Sequence, residues 1–211
     1  MVSAADSPAL NWSGHFLIAM PGMEDPGFAR SVIYICEHTE RGALGLCINK
    51  PLGLTLSELF EQIKLPLKRD DLQDLPVCWG GPLQPERGFV LHTQPPITEE
   101  ESASDVASND TTARWHYASS LLTADGLQMT TSRDILEAIS EGDGPAPLFA
   151  ALGHASWEQG QLEKEMRDNS WLTVPASHAL IFDTPLDMRY DRAIRLLGVT
   201  PGTLTVQAGT A

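Results

Sequence analysis

The sequence predicts an α+β fold, with a mixed, mainly antiparallel sheet flanked by helices. Three observations carry the prediction. Apolar runs joined by short Gly-containing turns recur, as in hairpins. Helical periodicity is confined to a few segments between those runs. Strand and helix alternate irregularly, so hairpins outnumber the strand–helix–strand units that a doubly wound parallel sheet requires. The 211 residues suit one domain spanning 1–211, long enough to bury roughly 70% of its unfolded surface without a metal or disulfide staple.

Residues 1–12 are small and polar and are expected to fray. His15 to Met20 reads as a buried strand, and Pro21 to Gly27 as a loop rich in Pro and Gly. Ser31 to Cys36 is β-branched and aromatic, as strands prefer, and Ala43 to Ile48 forms a hairpin with it across a turn near Glu40. Pro51 is expected to stop that strand. Thr55 and Glu58 fit a capping box, and Leu56, Leu59, Phe60 and Ile63 then line one helical face. After a charged connection, Val77 to Trp79 and Gly88 to His92 read as strands, with Gly80-Gly81-Pro82 as a tight turn between them.

Residues 94–113 carry Glu99, Glu100, Glu101, Asp105 and Asp110 with no Lys or Arg, and read as a solvated acidic loop. Asp125-Gly126 signals a hairpin between runs 115–122 and 127–131. Ser132 opens a helix over 133–140, and Pro147 to Leu152 is a buried strand. Gly153 to Ser156 reads as a turn, with Ser156 and Gln159 as a second capping box for a helix starting at Trp157. Runs 172–174, 179–182 and 204–206 read as strands. Between the last two, Leu186 to Leu197 forms a helix with Tyr190, Ala193, Ile194 and Leu197 on one face and Gly198 past its end.

Charge narrows the function classes. Twenty-eight acids against 14 bases give a net charge of −14, which opposes direct binding to phosphate backbones or anionic lipid. No run approaches the roughly 18 apolar residues of a membrane-spanning helix, and residues 1–11 lack the basic start and apolar core of a secretory signal. Cys36, Cys47 and Cys78 are odd in number and lie within apolar runs. They read as small buried hydrophobes in a reducing cytoplasm.

Several chemistries fail on spacing. Ser156 lacks the flanking Gly residues of a nucleophile elbow. His15, His38, His92, His116, His154 and His178 show no metal-ligand spacing, so no metal or cofactor is expected. Gly80-Gly81-Pro82 is not followed by the Lys-Ser/Thr of a phosphate loop. Arg189, Arg192 and Arg195 form the one basic stripe. With Asp187 and Asp191 interleaved, it reads as a solvated face with i,i+4 pairs.

Several blocks together carry a family resemblance. Met20-Pro-Gly-Met-Glu-Asp-Pro-Gly-Phe28, Ser31 to His38, and Gly45 to Pro51 ending in Asn49-Lys50-Pro51 resemble the AlgH/YqgE family. Gly80-Gly81-Pro82, Gly88 to His92, Leu127 to Leu136, Gly160 to Glu163, Asn169 to Leu172 and Phe182-Asp183-Thr184-Pro185 agree with it in order. The resemblance implies a cytoplasmic bacterial protein whose sheet curls toward a barrel. It implies no established activity or cofactor, although some members carry a transcriptional-regulator label. His154 and Ser156 stand where the family usually has Tyr and Gly, and the acidic loop is longer than the usual connection.

One constellation suggests a ligand. Antiparallel pairing about a turn near Glu40 places Cys36 opposite Gly45 and Val32 opposite Asn49. Arg30 and Lys50 then meet at one ladder end, roughly 20 Å from Glu37 and His38. The helix capped by Thr55 starts just beyond. Arg30, Asn49, Lys50 and Thr55 are thus a candidate anion site. The competing reading is that Asn49 and Lys50 close the hairpin and Lys50 pairs with a local acid. The sequence therefore points to a non-enzymatic cytosolic protein acting in a regulatory or adaptor role, through a protein partner or a small anionic ligand. An alternative is a hydrolase or transferase acting on a phosphorylated metabolite, and a further one is a DNA-binding regulator.

Overall fold

The computed structural model describes residues 11–94 and 117–198. Four strands open the chain: β1 (His15–Ala19), β2 (Val32–Thr39), β3 (Gly42–Cys47) and β4 (Pro51–Thr55). Helix α1 (Leu56–Gln62) and a 3-10 turn (Asp70–Leu72) lead to β5 (Pro76–Trp79) and β6 (Leu83–Thr93). Then follow β7 (Ser120–Leu122), β8 (Leu127–Thr130), α2 (Arg133–Glu141), β9 (Leu148–Glu158), α3 (Gln161–Arg167), β10 (Trp171–Pro175), α4 (His178–Phe182) and α5 (Leu186–Leu196).

The strands form one curled half-barrel sheet in the order β10-β1-β2-β3-β9-β6-β8-β7. Every pairing along that path is antiparallel. Strand β5 joins from the side, antiparallel to β4 and parallel to β9. The α+β class and the mainly antiparallel sheet are as the sequence predicts.

Both faces of the sheet are covered, which explains the continuous apolar runs of its strands. Phe16 and Ile18 of β1 point into a core shared with α4 and α5, and Leu17 and Ala19 into one shared with α3. A third cluster packs α1 and α2 on β5, β6 and β9.

The structure corrects several expectations. Residues 153–156 make no turn, since β9 runs on to Glu158 and pairs Ser156 with Leu44 of β3. Ala155 and Trp157 are buried while Ser156 and Glu158 are exposed, the period of two of a strand. Ser156 therefore caps no helix; α3 starts four residues later than expected, after Gly160, whose φ is +74°. Run 179–182 lies in α4, where adjacent Leu180 and Ile181 are both buried. Pro51 opens an edge strand instead of stopping one, a position where the missing N–H does no harm. Trp12 does not fray. The residue is 7% exposed, and its indole stacks on His38 at 4.9 Å. Ser132 precedes α2 as expected, but the side chain that accepts from the helix's own backbone is that of Asp134. The expected strand 204–206, residues 1–10 and residues 95–113 of the acidic loop lie outside the described residues.

The tight turn expected at Gly80-Gly81 is a backbone crossing. A Cβ on Gly80 would meet the Gly153 carbonyl oxygen at 2.1 Å, and one on Gly81 the His154 carbonyl carbon at 2.1 Å. Only Gly lets the two chains pass so closely.

Candidate functional site

The hairpin of β2 and β3 forms, but its register differs by one residue from expectation. A bulge at Cys36 puts Ile35, not Cys36, opposite Gly45. Ile48 thus donates its N–H to the carbonyl of Val32, and Asn49 closes the ladder with its side chain. Its amide accepts from Val32 N–H and donates to the Arg30 carbonyl, both at 2.8 Å, much as a strand neighbour would.

The two cations at this end serve different partners. Arg30, at φ +54°, places its guanidinium 3.1 Å from Asp191 and 4.4 Å from the Tyr190 ring centroid, both on α5. Lys50 donates to the Gly27 carbonyl and lies 5.6 Å from the Trp79 ring centroid. It pairs with a backbone oxygen rather than a local acid. Thr55 caps α1 as the sequence predicts, and the Glu58 carboxylate accepts from the Thr55 N–H at 2.8 Å. A carboxylate of the chain itself thus sits at the positive end of this seven-residue helix. Asn49 links to Arg30 through the backbone, and each of the four residues has a partner within the protein.

A buried cation without an acidic partner among the described residues is one that the sequence placed on a solvated face. Arg189 of α5 is only 6% exposed. Its Nε–H donates to the Thr184 carbonyl at 2.9 Å, its Nη1 to the Ile48 carbonyl, and its guanidinium lies 5.6 Å from the Phe149 ring centroid. No carboxylate forms a salt bridge with it among the described residues. A guanidinium has five N–H donors. With two committed to carbonyls, three remain without a protein acceptor among the described residues. Burial pulls its pKa below the ordinary value, partly offset by the neighbouring Cys78, but arginine keeps its charge.

Arg189 lines a cleft of about 240 Å³ between the start of β5 (Leu75, Pro76), the start of β9 (Leu148, Phe149) and the α4–α5 junction (residues 181–186). Its walls are apolar apart from Thr184 and Asp183, which is exposed. The sequence carried a signal for this burial. Leu186 and Ala193 lie three and four residues from Arg189, so it borders the apolar stripe of α5.

A second polar cluster pins the β7–β8 turn. Asp125 accepts from the Tyr34 hydroxyl and from Thr123 Oγ1 at 2.7 Å, and faces His178 Nε2 at 3.2 Å. Burial alone would raise the Asp125 carboxyl, but the hydrogen bonds from Tyr34 and Thr123 outweigh it and hold it below the usual carboxylate range. The three thiols are buried. Desolvation pushes Cys47 up to about 11, Cys78 up to about 12 and Cys36 beyond them, so all three stay protonated near neutral pH.

Comparison with known proteins agrees with the sequence blocks. The model of the AlgH-like family matches residues 16–202. A UPF0301 protein of Polaromonas sp. (strain JS666 / ATCC BAA-500) is 52% identical over 208 residues, covering 99% of this chain and 100% of the relative. One of Variovorax paradoxus (strain S110) is 53% identical with the same coverage. The solution structure of AlgH from Pseudomonas aeruginosa superposes with a TM-score of 0.71 at 43% identity, covering all of both chains. A crystal structure of a Corynebacterium diphtheriae protein gives a TM-score of 0.61 at 25% identity, covering 87% of this chain and 85% of that one. With a family model spanning most of its length and relatives half identical to it throughout, the chain belongs to the AlgH-like family.

Proposed function

We propose that this protein is a non-enzymatic binding protein, regulatory or adaptor in role, whose ligand is a small anion held on Arg189. One observation carries the reading: an arginine only 6% exposed, with no carboxylate partner among the described residues, lines an open cleft. Burying a charge without an opposite charge is costly, and a bound anion would offset that cost. The protonated, buried thiols suit a cytoplasmic setting and offer no ready nucleophile, which favours binding over covalent catalysis. The burial of Arg189 also removes one of three cations from the only basic stripe, which counts further against a DNA-reading helix.

Thermal shift against a panel of small anions tests the reading. A specific ligand at 100 times its Kd adds about 2.7 kcal/mol to stability. The expected result is at least one anion that raises the Tm of the wild type and leaves that of an Arg189→Met variant unchanged. Equal shifts in both proteins would count against the site.

A further inference from the structure

We infer that the ligand of this cleft is a monocarboxylate with a short apolar body, an inference that rests on the small-anion reading above. The charge to be matched is a single one. Arg189 brings one positive charge and three uncommitted N–H donors, enough for a forked contact with both oxygens of a carboxylate. The Phe149 ring, 5.6 Å from the guanidinium carbon, and the two carbonyl contacts hold the fork in place. The forked contact then needs no reordering of the arginine when the ligand arrives.

Size and polarity set the body of the ligand. The cleft of about 240 Å³ holds the liquid volume of about eight waters and falls below the roughly 300 Å³ at which drug-sized pockets begin. A nucleotide is too large for the cleft to enclose. Leu75, Pro76, Phe149, Phe182 and Leu186 offer apolar contact and no hydrogen bonds from their side chains, so a ligand body lying against them gains more from methylenes than from hydroxyls.

Charge count excludes the dianion. Phosphate would bring a second negative charge that no other cation lining the cleft answers among the described residues, Arg192 being turned to Thr184 Oγ1 at 3.4 Å, and the exposed Asp183 carboxylate at the rim would repel it further. The first turn of α5 meets the same wall, where Pro185 provides no side-chain cap. Its N–H groups favour an anion there, but Arg189 carries the assignment.

An NMR titration of the full chain at constant ionic strength tests this, with acetate, butyrate, butyramide and inorganic phosphate as probes. Butyrate should shift the amide signals of Phe149, Asp183, Thr184, Leu186 and Arg189 and saturate at lower concentration than acetate. Butyramide should leave them still. Arg189→Met should weaken butyrate by about 10- to 100-fold, the worth of a hydrogen bond to a charged group. If that variant fails to fold, Leu186→Trp fills the cleft with Arg189 intact, and should abolish the butyrate shifts. Phosphate saturating the same amides at or below the butyrate concentration, or acetate matching butyrate, would overturn the monocarboxylate inference and leave the small-anion reading standing. If no anion moves these amides, or if Leu186→Trp or a folded Arg189→Met binds butyrate like the wild type, both readings fall.

Discussion

Two arginines meet α5, and they live under opposite rules. Arg30 reaches the helix from the β1–β2 connection, lies over Tyr190 and pairs with Asp191, with side-chain exposures of 65% and 47% for the pair. Arg189 belongs to the helix itself, lies near Phe149 and is 6% exposed with only backbone carbonyls for company. Water screens the first pair so well that its net worth is small. The second charge is largely buried, reached only through the cleft, and has no acid to match it among the described residues. The same residue type near the same helix is thus decorative in one place and poised in the other. Burial, not the presence of a cation, separates them.

This contrast can be broken by substitution. The largest effect should come from Arg189→Ala, which leaves a cavity and strips donors from the carbonyls of Ile48 and Thr184. Denaturant melts should show a loss of about 2–4 kcal/mol. Arg189→Met should cost clearly less, since it keeps most of the volume and discharges a buried ion. A loss under about 0.5 kcal/mol for the alanine variant would erase the distinction from Arg30.

Asp125→Asn extends the test to a half-buried acid and should lose about 1–2 kcal/mol near neutral pH. Its folded pKa lies below the unfolded value, so its contribution is full above the ordinary carboxylate range. That contribution disappears as pH falls through the depressed folded pKa. Acid titration of stability should therefore be steeper in the wild type than in the variant. Tyr190→Phe keeps the ring under Arg30 and removes only the buried hydroxyl bond to the Ala19 carbonyl, for a loss of about 0.5–1.5 kcal/mol. Arg30→Ala should be the mildest, about 0.2–1 kcal/mol, and the difference should shrink further in 1 M salt, where the Debye length is about 3 Å.

The sequence was legible where one local rule acts alone. Thr55 and Glu58 form their capping box, and Tyr190, Ala193 and Ile194 are buried together on α5. It misled where a distant partner decides. Ser156-x-x-Gln159 has the spacing of a cap, yet pairing with β3 holds residues 155–158 in a strand, and the alternation of Ala155 and Trp157 with Ser156 and Glu158 was the better guide. The bulge at Cys36, which shifts the ladder by one residue, has no sequence mark that hairpin rules detect. For the site, sequence reasoning found cations and a helix start close along the chain. The cleft at Arg189 draws on residues 75, 149 and 182, and only the fold brings these together.

The pairing of β1 with β10 carries a consequence for synthesis. One edge of β1 is covered by β2, about 15 residues downstream, but the other waits for Trp171 to Pro175. Some 150 residues must be translated between Ala19 and Trp171, which at about 5–20 residues per second takes roughly 8–30 s. Through that interval the nascent chain holds an apolar strand with one unpaired edge, the kind of template that invites pairing with another chain. Ribosomes stalled or truncated before codon 171 would release the chain in that state, and its solubility would then rest on whatever shields five residues at its beginning.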